Sequence, residues 1–159
     1  MIALKNILVA TDFGPAADAA LTYGRALARR FGARLHLIHV AENFFLRPMF
    51  ADPHALRAAL ARRLQERVTA EDRTSLHAHV LLETSDEPAD AIAAYARSAT
   101  IDLIVMGTRG RDGMSRALVS SVAERVVRTA PCPVLTVKHP EHEFVLPDAP
   151  QDSQEARPS

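Results

Sequence analysis

Short apolar segments alternate with longer segments of helical periodicity along most of this chain. Each apolar segment has the length and near-continuous hydrophobicity of a strand that is buried on both faces of a sheet. The five predicted strands are residues 7–11 (ILVAT), 35–40 (LHLIHV), 76–82 (LHAHVLL), 101–106 (IDLIVM) and 134–137 (VLTV). Strands that alternate with helices are typical of βαβ units, so the sequence predicts a parallel sheet covered by helices.

Proline and glycine mark the predicted helix boundaries. Pro15, Pro53 and Pro88 stand where the first turn of a helix tolerates proline, and Gly32 supplies a left-handed stop. Crossovers between parallel strands are right-handed, and the simplest arrangement of the strands is then the order 3-2-1-4-5. The predicted fold is therefore a doubly wound, five-stranded, Rossmann-like α/β domain.

The composition limits both the size of the protein and the kind of partner it takes. A chain of 159 residues with 48% hydrophobic residues can bury one core. Lys+Arg and Asp+Glu each number 19, so the formal net charge is zero and no overall field attracts nucleic acid or an anionic membrane. We find no signal peptide or membrane-spanning pattern, and we expect a cytoplasmic protein.

The globular part is predicted to end at Lys138. Beyond it the chain has five acidic residues, one arginine and four prolines, with no hydrophobic periodicity. We therefore expect one domain over residues 1–138 and a flexible acidic tail over residues 139–159. The lone Cys132 cannot form an internal disulfide and is expected to be a small buried residue.

A segment rich in Gly, Arg and Ser follows the fourth predicted strand. Gly107 and Gly110 would let backbone amides approach a phosphate, and a helix that begins near Ser121 adds unpaired N–H groups and a positive dipole end. In a sheet of this order, ligands bind beyond the carboxyl ends of the first and fourth strands, where this segment lies. Further donors and positive charge come from Ser120, Arg109 and Arg111. The residues alone leave two interpretations open: a phosphate site, or glycines that shape a loop and serines that cap a helix.

Two phrases of the sequence resemble the universal stress protein family: ILVATDF at residues 7–13 and VMGTRGRDGMSRALVSSVAERVVRTAPCPVLTV at residues 105–137. The resemblance covers nearly all of residues 1–138 and implies an adenine nucleotide α-hydrolase-like fold. Members that bind ATP have Gly-x-x-Gly, nine residues, Gly, then Ser or Thr. By this resemblance Gly107, Gly110 and Ser121 would hold the ribose and phosphates, Asp12 would contact the nucleotide, and the backbone of Val40 would read adenine. The remaining implied contacts are Ala10, Thr11, Met106, Arg109, Ser120 and Val122.

The resemblance also implies a function. The expected ligand is ATP with Mg²⁺ or Mn²⁺, and the expected assembly is a homodimer that pairs the final strands. Signalling through occupancy is expected rather than catalysis, because no positioned general base or nucleophile is evident beyond Asp12. Slow ATP hydrolysis or phosphorylation of Ser120 or Ser121 stays open as an alternative. A nucleotidyl transferase is disfavoured because the chain lacks His-x-Gly-His and Ser-Gly-Gly elements. A phospho-receiver domain is disfavoured because it would need paired acidic residues after the first strand, and Asp12 has no acidic neighbour there.

Two departures from the family pattern keep an alternative open. Ser120 replaces the third loop glycine and adds a side chain where the backbone should pass closest to a phosphate. The stretch 83–88 lacks the glycine that members commonly carry before the helical proline. The alternative is a dimeric interaction module of the same family that binds no nucleotide.

Asp12 and four histidines have competing interpretations. Asp12 either caps the helix that follows it or contacts the nucleotide. His77 and His79 are predicted on one face of the third strand, as a surface pair rather than a metal site, because no third ligand is near. His36 and His39 are predicted to face opposite sides of the second strand.

Two surface features remain to be placed. The apolar, aromatic stretch 43–50 is expected either to line the pocket or to dock on a partner. The second helix and the segment after it carry many arginines interleaved with acidic residues, so we predict a solvated face rather than a nucleic-acid surface. These arginines are Arg57, Arg62, Arg63, Arg67 and Arg73.

Overall fold

The sheet of this protein is parallel throughout, as its computed structural model shows for residues 1–43, 52–108, 121–140 and 142–145, which are the residues described. Its strands are β1 (Asn6–Ala10), β2 (Arg34–Ala41), β3 (His79–Thr84), β4 (Leu103–Gly107) and β5 (Val134–Val137). The helices of the described ranges are α1 (Pro15–Phe31), α2 (Pro53–Glu66), α3 (Ala70–Ser75), α4 (Pro88–Ser98) and α5 (Ser121–Thr129). The strand order is β3-β2-β1-β4-β5, which confirms the doubly wound fold and its predicted order.

Helices cover both faces of the sheet, which explains why the strand sequences are almost continuously apolar. Ile7 and Val9 of β1 point into the core beneath α1 and α2, whereas Leu8 and Ala10 point into the core beneath α4 and α5. Ile7, Leu8 and Val9 have no exposed surface. Because β1 lies between β2 and β4, its carboxyl end is at the centre of the sheet edge where the winding reverses.

Helix α1 ends where the sequence predicts. Gly32 has φ +65°, in the left-handed region, and its N–H donates to the carbonyl of Ala28. Two basic residues in the last turn, Arg29 and Arg30, complement the helix dipole. Within the described ranges, no helix is long and apolar enough to span a bilayer.

The third strand starts later than predicted. Leu76 belongs to the end of α3, where it is buried, and His77 has φ +48° in the turn that follows. The strand itself covers His79–Thr84. The prediction that His77 and His79 share a strand face is therefore wrong, because only His79 lies in the strand.

A short helix, α3, was not predicted, and it contains the most deeply buried charge of the described residues. Thr69 and Asp72 form a reciprocal capping box, in which each side chain accepts from the other residue's backbone N–H. The Asp72 carboxylate, with no exposed surface, also accepts from Nε (2.8 Å) and Nη2 (2.7 Å) of Arg25 on α1. Burial alone would raise the pKa of Asp72, but hydrogen bonds from Arg25 and Thr69 and the charge of Arg25 outweigh it and lower the pKa.

His36 of β2 is buried on the α4 side of the sheet in a chain of hydrogen bonds. The amide of Asn6 donates to the Thr100 carbonyl (3.4 Å), so its oxygen accepts from Nε2 of His36 (3.1 Å). The other ring nitrogen, Nδ1, then accepts from the hydroxyl of Tyr95 (2.7 Å). Burial, with His79 and Arg34 nearby, lowers the pKa of His36 to about 4, so its ring is neutral near pH 7. His39 lies on the opposite face, as predicted.

The chain beyond β5 returns to α1. The N–H of Phe144 donates to the hydroxyl of Tyr23 (2.8 Å), and the two rings meet edge to face at 4.6 Å. Val145 packs against the core beneath α1, and His139 pairs with Glu143. Phe144 and Val145 therefore contact the domain, although the sequence has no periodicity there. The rest of the predicted tail, residues 141 and 146–159, lies outside the described residues.

Candidate functional site

The carboxyl ends of β1 and β4 lie side by side at the edge where the winding reverses. Ala10 is paired in register with Met106, the last residue but one of β4. Thr11, the first residue after β1, donates its N–H to the carbonyl of Ile38 on β2 (2.9 Å). This edge is therefore a rigid platform built from the ends of three strands.

Four of the predicted contact residues, all apolar, meet at one hydrophobic cluster on the α4–α5 side of this edge. Ala10 and Met106 are buried members of the cluster, and Val40 and Val122 pack against it while remaining partly exposed. They come from β1, β4, β2 and α5, which are far apart in the sequence. The structure thus brings together an apolar floor with two partly accessible side chains.

Asp12 forms the turn between β1 and α1. Its Oδ1 accepts from the N–H of Gly14 (2.9 Å), and Oγ1 of Thr11 accepts from the N–H of Phe13 (3.0 Å). Gly14 is the N-cap of α1 and has no side-chain cap, so Asp12 shapes the turn before the helix rather than capping an amide within it. No other residue of the described part of the chain donates to the Asp12 carboxylate, which leaves Oδ2 able to accept from a ligand.

The packing of α1 against β4 requires glycine at position 107, whether or not a ligand binds nearby. A Cβ at this position would lie 2.8 Å from both the carbonyl carbon and the Cβ of Ala16 in the first turn of α1. Real Cβ atoms essentially never approach backbone so closely, and the contact could not be relieved by a side-chain rotation. The glycine therefore allows α1 to pack on β4, which sequence spacing did not indicate.

Ser121 is the first residue of α5 and is exposed. Helix α5 is held to α4 by Arg125, whose guanidinium donates to Asp90 (3.0 Å) and Glu87 (3.3 Å). The other predicted loop residues, Arg109, Gly110, Arg111 and Ser120, lie outside the described residues, as does the stretch 44–50. Of the predicted phosphate contacts, Gly107 and Ser121 are thus placed at this edge.

Sequence reasoning missed an aromatic and cationic group beside Asp12. Phe13 has φ +67° and is buried, and its ring lies 4.5 Å from the His39 ring, measured between centroids. Nδ1 of His39 is hydrogen-bonded to the carbonyl of Thr11 (2.7 Å), and Cζ of Arg63 lies 4.5 Å from the centre of the Phe13 ring. Only the tertiary packing of α2 on this turn reveals the group, because nothing near Phe13 in sequence signals it.

Within the part of the chain that the structure describes, no group of three or more His, Cys, Asp or Glu side chains is able to hold a metal ion. Cys132 is only partly buried, whereas the sequence predicted a buried residue. Burial and the nearby Asp102 raise the pKa of its thiol, so it is a weak nucleophile near neutral pH.

A doubly wound parallel sheet with the order β3-β2-β1-β4-β5 defines an α/β protein of the Rossmann-like class. The universal stress protein family matches residues 3–138. The chain is 33% identical over 147 residues to a universal stress protein of Methanocaldococcus jannaschii (87% of this chain, 85% of that protein). It is 36% identical over 137 residues to one of Thermus aquaticus (84% of this chain, 98% of that protein). The chain therefore belongs to the universal stress protein family.

Solved structures of the family share the fold. The protein UspA of Lactobacillus plantarum aligns with a TM-score of 0.68 at 26% identity, over 86% of this chain and 99% of its own. A universal stress protein solved in complex with cAMP aligns with a TM-score of 0.62 at 20% identity, over 86% of this chain and 98% of its own. A universal stress protein from Archaeoglobus fulgidus, solved in complex with dAMP, aligns with a TM-score of 0.61 at 22% identity, over 87% of this chain and 100% of its own. At such identities the last two structures establish the fold of this chain.

Proposed function

We propose that this protein binds an adenine nucleotide, with ATP as its main ligand, in the crevice beyond the carboxyl ends of β1 and β4. The observation that carries the proposal is that Ala10, Val40, Met106 and Val122 share one hydrophobic cluster, the apolar floor, at the end of the strand that Asp12 follows by two residues. An apolar surface suits a purine, and a carboxylate oxygen suits the hydroxyls of a ribose. Two proteins of the same fold, solved with cAMP and dAMP, support adenine as the base.

The phosphates would lie toward α5. Ser121 begins this helix, so a hydroxyl and the positive end of the helix dipole are available there. The residues Arg109, Gly110 and Ser120 belong to the same proposal through the family resemblance alone. ATP rather than a monophosphate is proposed because this segment offers several donors to a polyphosphate.

A divalent cation fits the proposed site only with help from the nucleotide. Mg²⁺ is commonly held by one or two carboxylates together with substrate phosphates, and the described residues contain no group of three or more possible metal ligands. The cation would be held by the phosphates of the nucleotide and would neutralise part of their charge. We propose that the output of the site is its occupancy, since the groups at this edge are suited to binding a ligand rather than to transforming it.

The proposal is tested by titration with a fluorescent ATP analogue. Saturable binding is expected for the natural chain, and Asp12→Asn should weaken it by about tenfold because a charge-assisted hydrogen bond is lost. Asparagine keeps the oxygen that accepts from Gly14, so the turn is preserved. Asp18→Asn is the matched control, since Asp18 is an exposed aspartate in the first turn of α1 that pairs with Arg67. An absence of saturable binding at millimolar nucleotide would contradict the proposal.

One observation favours a second candidate, an interaction module that binds no nucleotide. The packing of Ala16 against Gly107 would keep a glycine at this position even in a chain without a ligand. Retention of Gly107 is therefore not by itself an argument for a phosphate site. The titration above separates the two candidates, because the module requires no binding by the unsubstituted chain.

We also propose that two copies of the chain pair through β5. This strand bonds to β4 on one side, and within the described ranges no strand lies on its other side. An exposed strand edge is a template for pairing with a second chain. Sedimentation equilibrium should give twice the 17.4 kDa mass of one chain, and a monomer mass at micromolar concentration would refute the pairing.

A further inference from the structure

The turn between β1 and α1, residues 11–14, contains a strained residue directly after Asp12. Phe13 has φ +67°, in the left-handed region that a bulky side chain rarely adopts. Among the described residues other than glycine, only Phe13, His77 and Thr100 have a positive φ, and of these Phe13 alone adjoins a residue of the candidate site. Strained backbone persists only where the surrounding contacts hold it, so the contacts of this turn bear on the site.

The two peptide groups on either side of the Asp12 Cα are each held by a hydrogen bond. The carbonyl of Thr11, in the preceding peptide, is bonded to Nδ1 of His39 at 2.7 Å. Because a carbonyl oxygen only accepts, Nδ1 carries the proton and donates. The N–H of Phe13, in the following peptide, donates to Oγ1 of Thr11 at 3.0 Å. Since the planes of these two peptides set φ and ψ of Asp12, the two bonds together fix the direction in which its side chain leaves the backbone.

His39 is a rigid anchor for the first of these bonds. It lies in β2 and is buried, and its ring packs against the Phe13 ring with centroids 4.5 Å apart. The N–H of Thr11 donates to the carbonyl of Ile38, the residue before His39 in the same strand (2.9 Å). Both backbone polar groups of Thr11 are thus bonded to β2, one through the main chain and one through a side chain. These bonds tie the turn to the sheet one residue beyond the end of β1.

We propose that His39 is a positioning residue for the nucleotide site: its Nδ1–H holds the Thr11–Asp12 peptide so that the Asp12 carboxylate faces the ligand. This inference rests on the proposed function. Oδ1 of Asp12 accepts from Gly14, so a fixed backbone direction places Oδ2 where a hydroxyl of the ligand can reach it. Loss of the His39 donor would free the first peptide, and the turn would relax the strain at Phe13 and move the carboxylate. His39 therefore acts on the ligand through Asp12, not by touching it.

Two substitutions of His39 separate the hydrogen bond from the packing. His39→Phe keeps an aromatic ring against Phe13 and removes the donor, whereas His39→Asn keeps an N–H donor near the position of Nδ1 and removes the ring. In isothermal titration of the full chain with ATP, His39→Phe should weaken binding by about fivefold and His39→Asn by less than about twofold. Urea unfolding should rank the two variants in the opposite order, because His39→Asn loses a buried ring. A purely structural role would rank affinity and stability alike.

A double substitution tests whether His39 acts through Asp12. When His39→Phe is added to Asp12→Asn, the further loss of ATP affinity should be less than about twofold, since the carboxylate that His39 positions is already absent. His36→Phe is the matched control. His36 is the other buried histidine of β2, and it is paired in register with Leu8, toward the end of β1 that is remote from Asp12. This control should lower stability and leave ATP affinity unchanged.

Four outcomes would overturn the inference. If His39→Phe binds ATP as the natural chain does, the hydrogen bond does not position Asp12. If both His39 variants lose affinity equally, the ring supports the turn by packing alone. If the loss from His39→Phe is undiminished when Asp12→Asn is also present, His39 acts by another route. If the natural chain does not bind ATP, the proposed function fails together with the inference, a result distinct from the other three because each of those requires binding by the natural chain.

Discussion

Replacement of Asp72 with alanine is expected to lower the free energy of unfolding by about 3–5 kcal/mol, the usual cost of removing one partner from a buried ion pair. The substitution leaves the guanidinium of Arg25, only 19% exposed, without its carboxylate. It also breaks the capping box, so Thr69 N–H loses its acceptor at 3.0 Å. Urea unfolding followed by circular dichroism measures the loss.

A surface ion pair provides the control for this prediction. Asp18→Ala removes the carboxylate that pairs with Arg67, but Asp18 is 48% exposed, so the expected loss is below about 1 kcal/mol. If Asp72→Ala lowers the free energy of unfolding no more than Asp18→Ala does, the buried ion pair does not stabilise the contact between α1 and α3. The double substitution of Arg25 and Asp72 by apolar residues should recover part of the loss, because no buried charge then remains unpaired.

The stabilisation from Asp72 also depends on pH. Its pKa is lower in the folded chain than the ordinary value of 3.8, so the unfolded chain binds the proton more readily. The contribution is therefore complete above the ordinary pKa and is lost as the pH falls through the folded value. It affects stability only in strongly acidic solution and leaves the range near neutrality unchanged.

Acidification from about pH 6.5 to about pH 4 is expected to destabilise the protein through His36 by about 3 kcal/mol. The folded pKa of about 4 lies below the ordinary 6.5, so between these values the unfolded chain binds a proton that the folded chain does not. The stabilisation is therefore complete above pH 6.5 and falls as the pH falls toward 4. Protonated His36 would also donate from Nδ1, toward a Tyr95 hydroxyl that now donates to it.

The measurement is the free energy of unfolding across this pH range for three chains. The natural chain should lose stability steadily on acidification, and His36→Gln should show a flatter profile whatever its absolute stability. His77→Asn removes an exposed histidine at a positive φ, a conformation that asparagine tolerates, and should keep the natural slope. Equal slopes for the natural chain and His36→Gln would show that another group controls the acid response.

The strand order was predictable because burial on both faces leaves a simple mark. Leu8 and Val9 face different helix layers, and both must be apolar, so β1 is a continuous apolar segment. The third strand was misplaced for the same reason, since Leu76 is also buried but contributes to the end of α3. Burial alone does not separate a strand from the helix end that precedes it.

Helix α3 was missed although its start is signalled in the sequence. Thr69-x-x-Asp72 is the spacing of a capping box, which predicts a helix start even where apolar periodicity is absent. The residues around it, Glu71 and Arg73, are charged, so this segment lacks the apolar stripe from which the other helices were predicted. The pairing of Asp72 with Arg25, 47 positions away, has no local signal.

The candidate site likewise contains some residues that could be predicted from the sequence and others that could not. Residues at strand ends, such as Ala10 and Met106, could be placed from topology, because parallel strands bring their carboxyl ends to one edge. The Arg63 stack on Phe13 could not, since it depends on the angle at which α2 crosses the sheet. The clash with Ala16 that excludes a side chain at position 107 likewise depends on how closely α1 approaches β4.

The contact between Phe144 and Tyr23 bears on where this chain can be shortened for expression or crystallisation. The family match ends at residue 138, whereas the amide that donates to the Tyr23 hydroxyl belongs to residue 144. Truncation at the family boundary would remove that donor and the side chain of Val145 from the flank of α1. A shortened chain that preserves the natural surface of α1 should therefore extend at least to Val145.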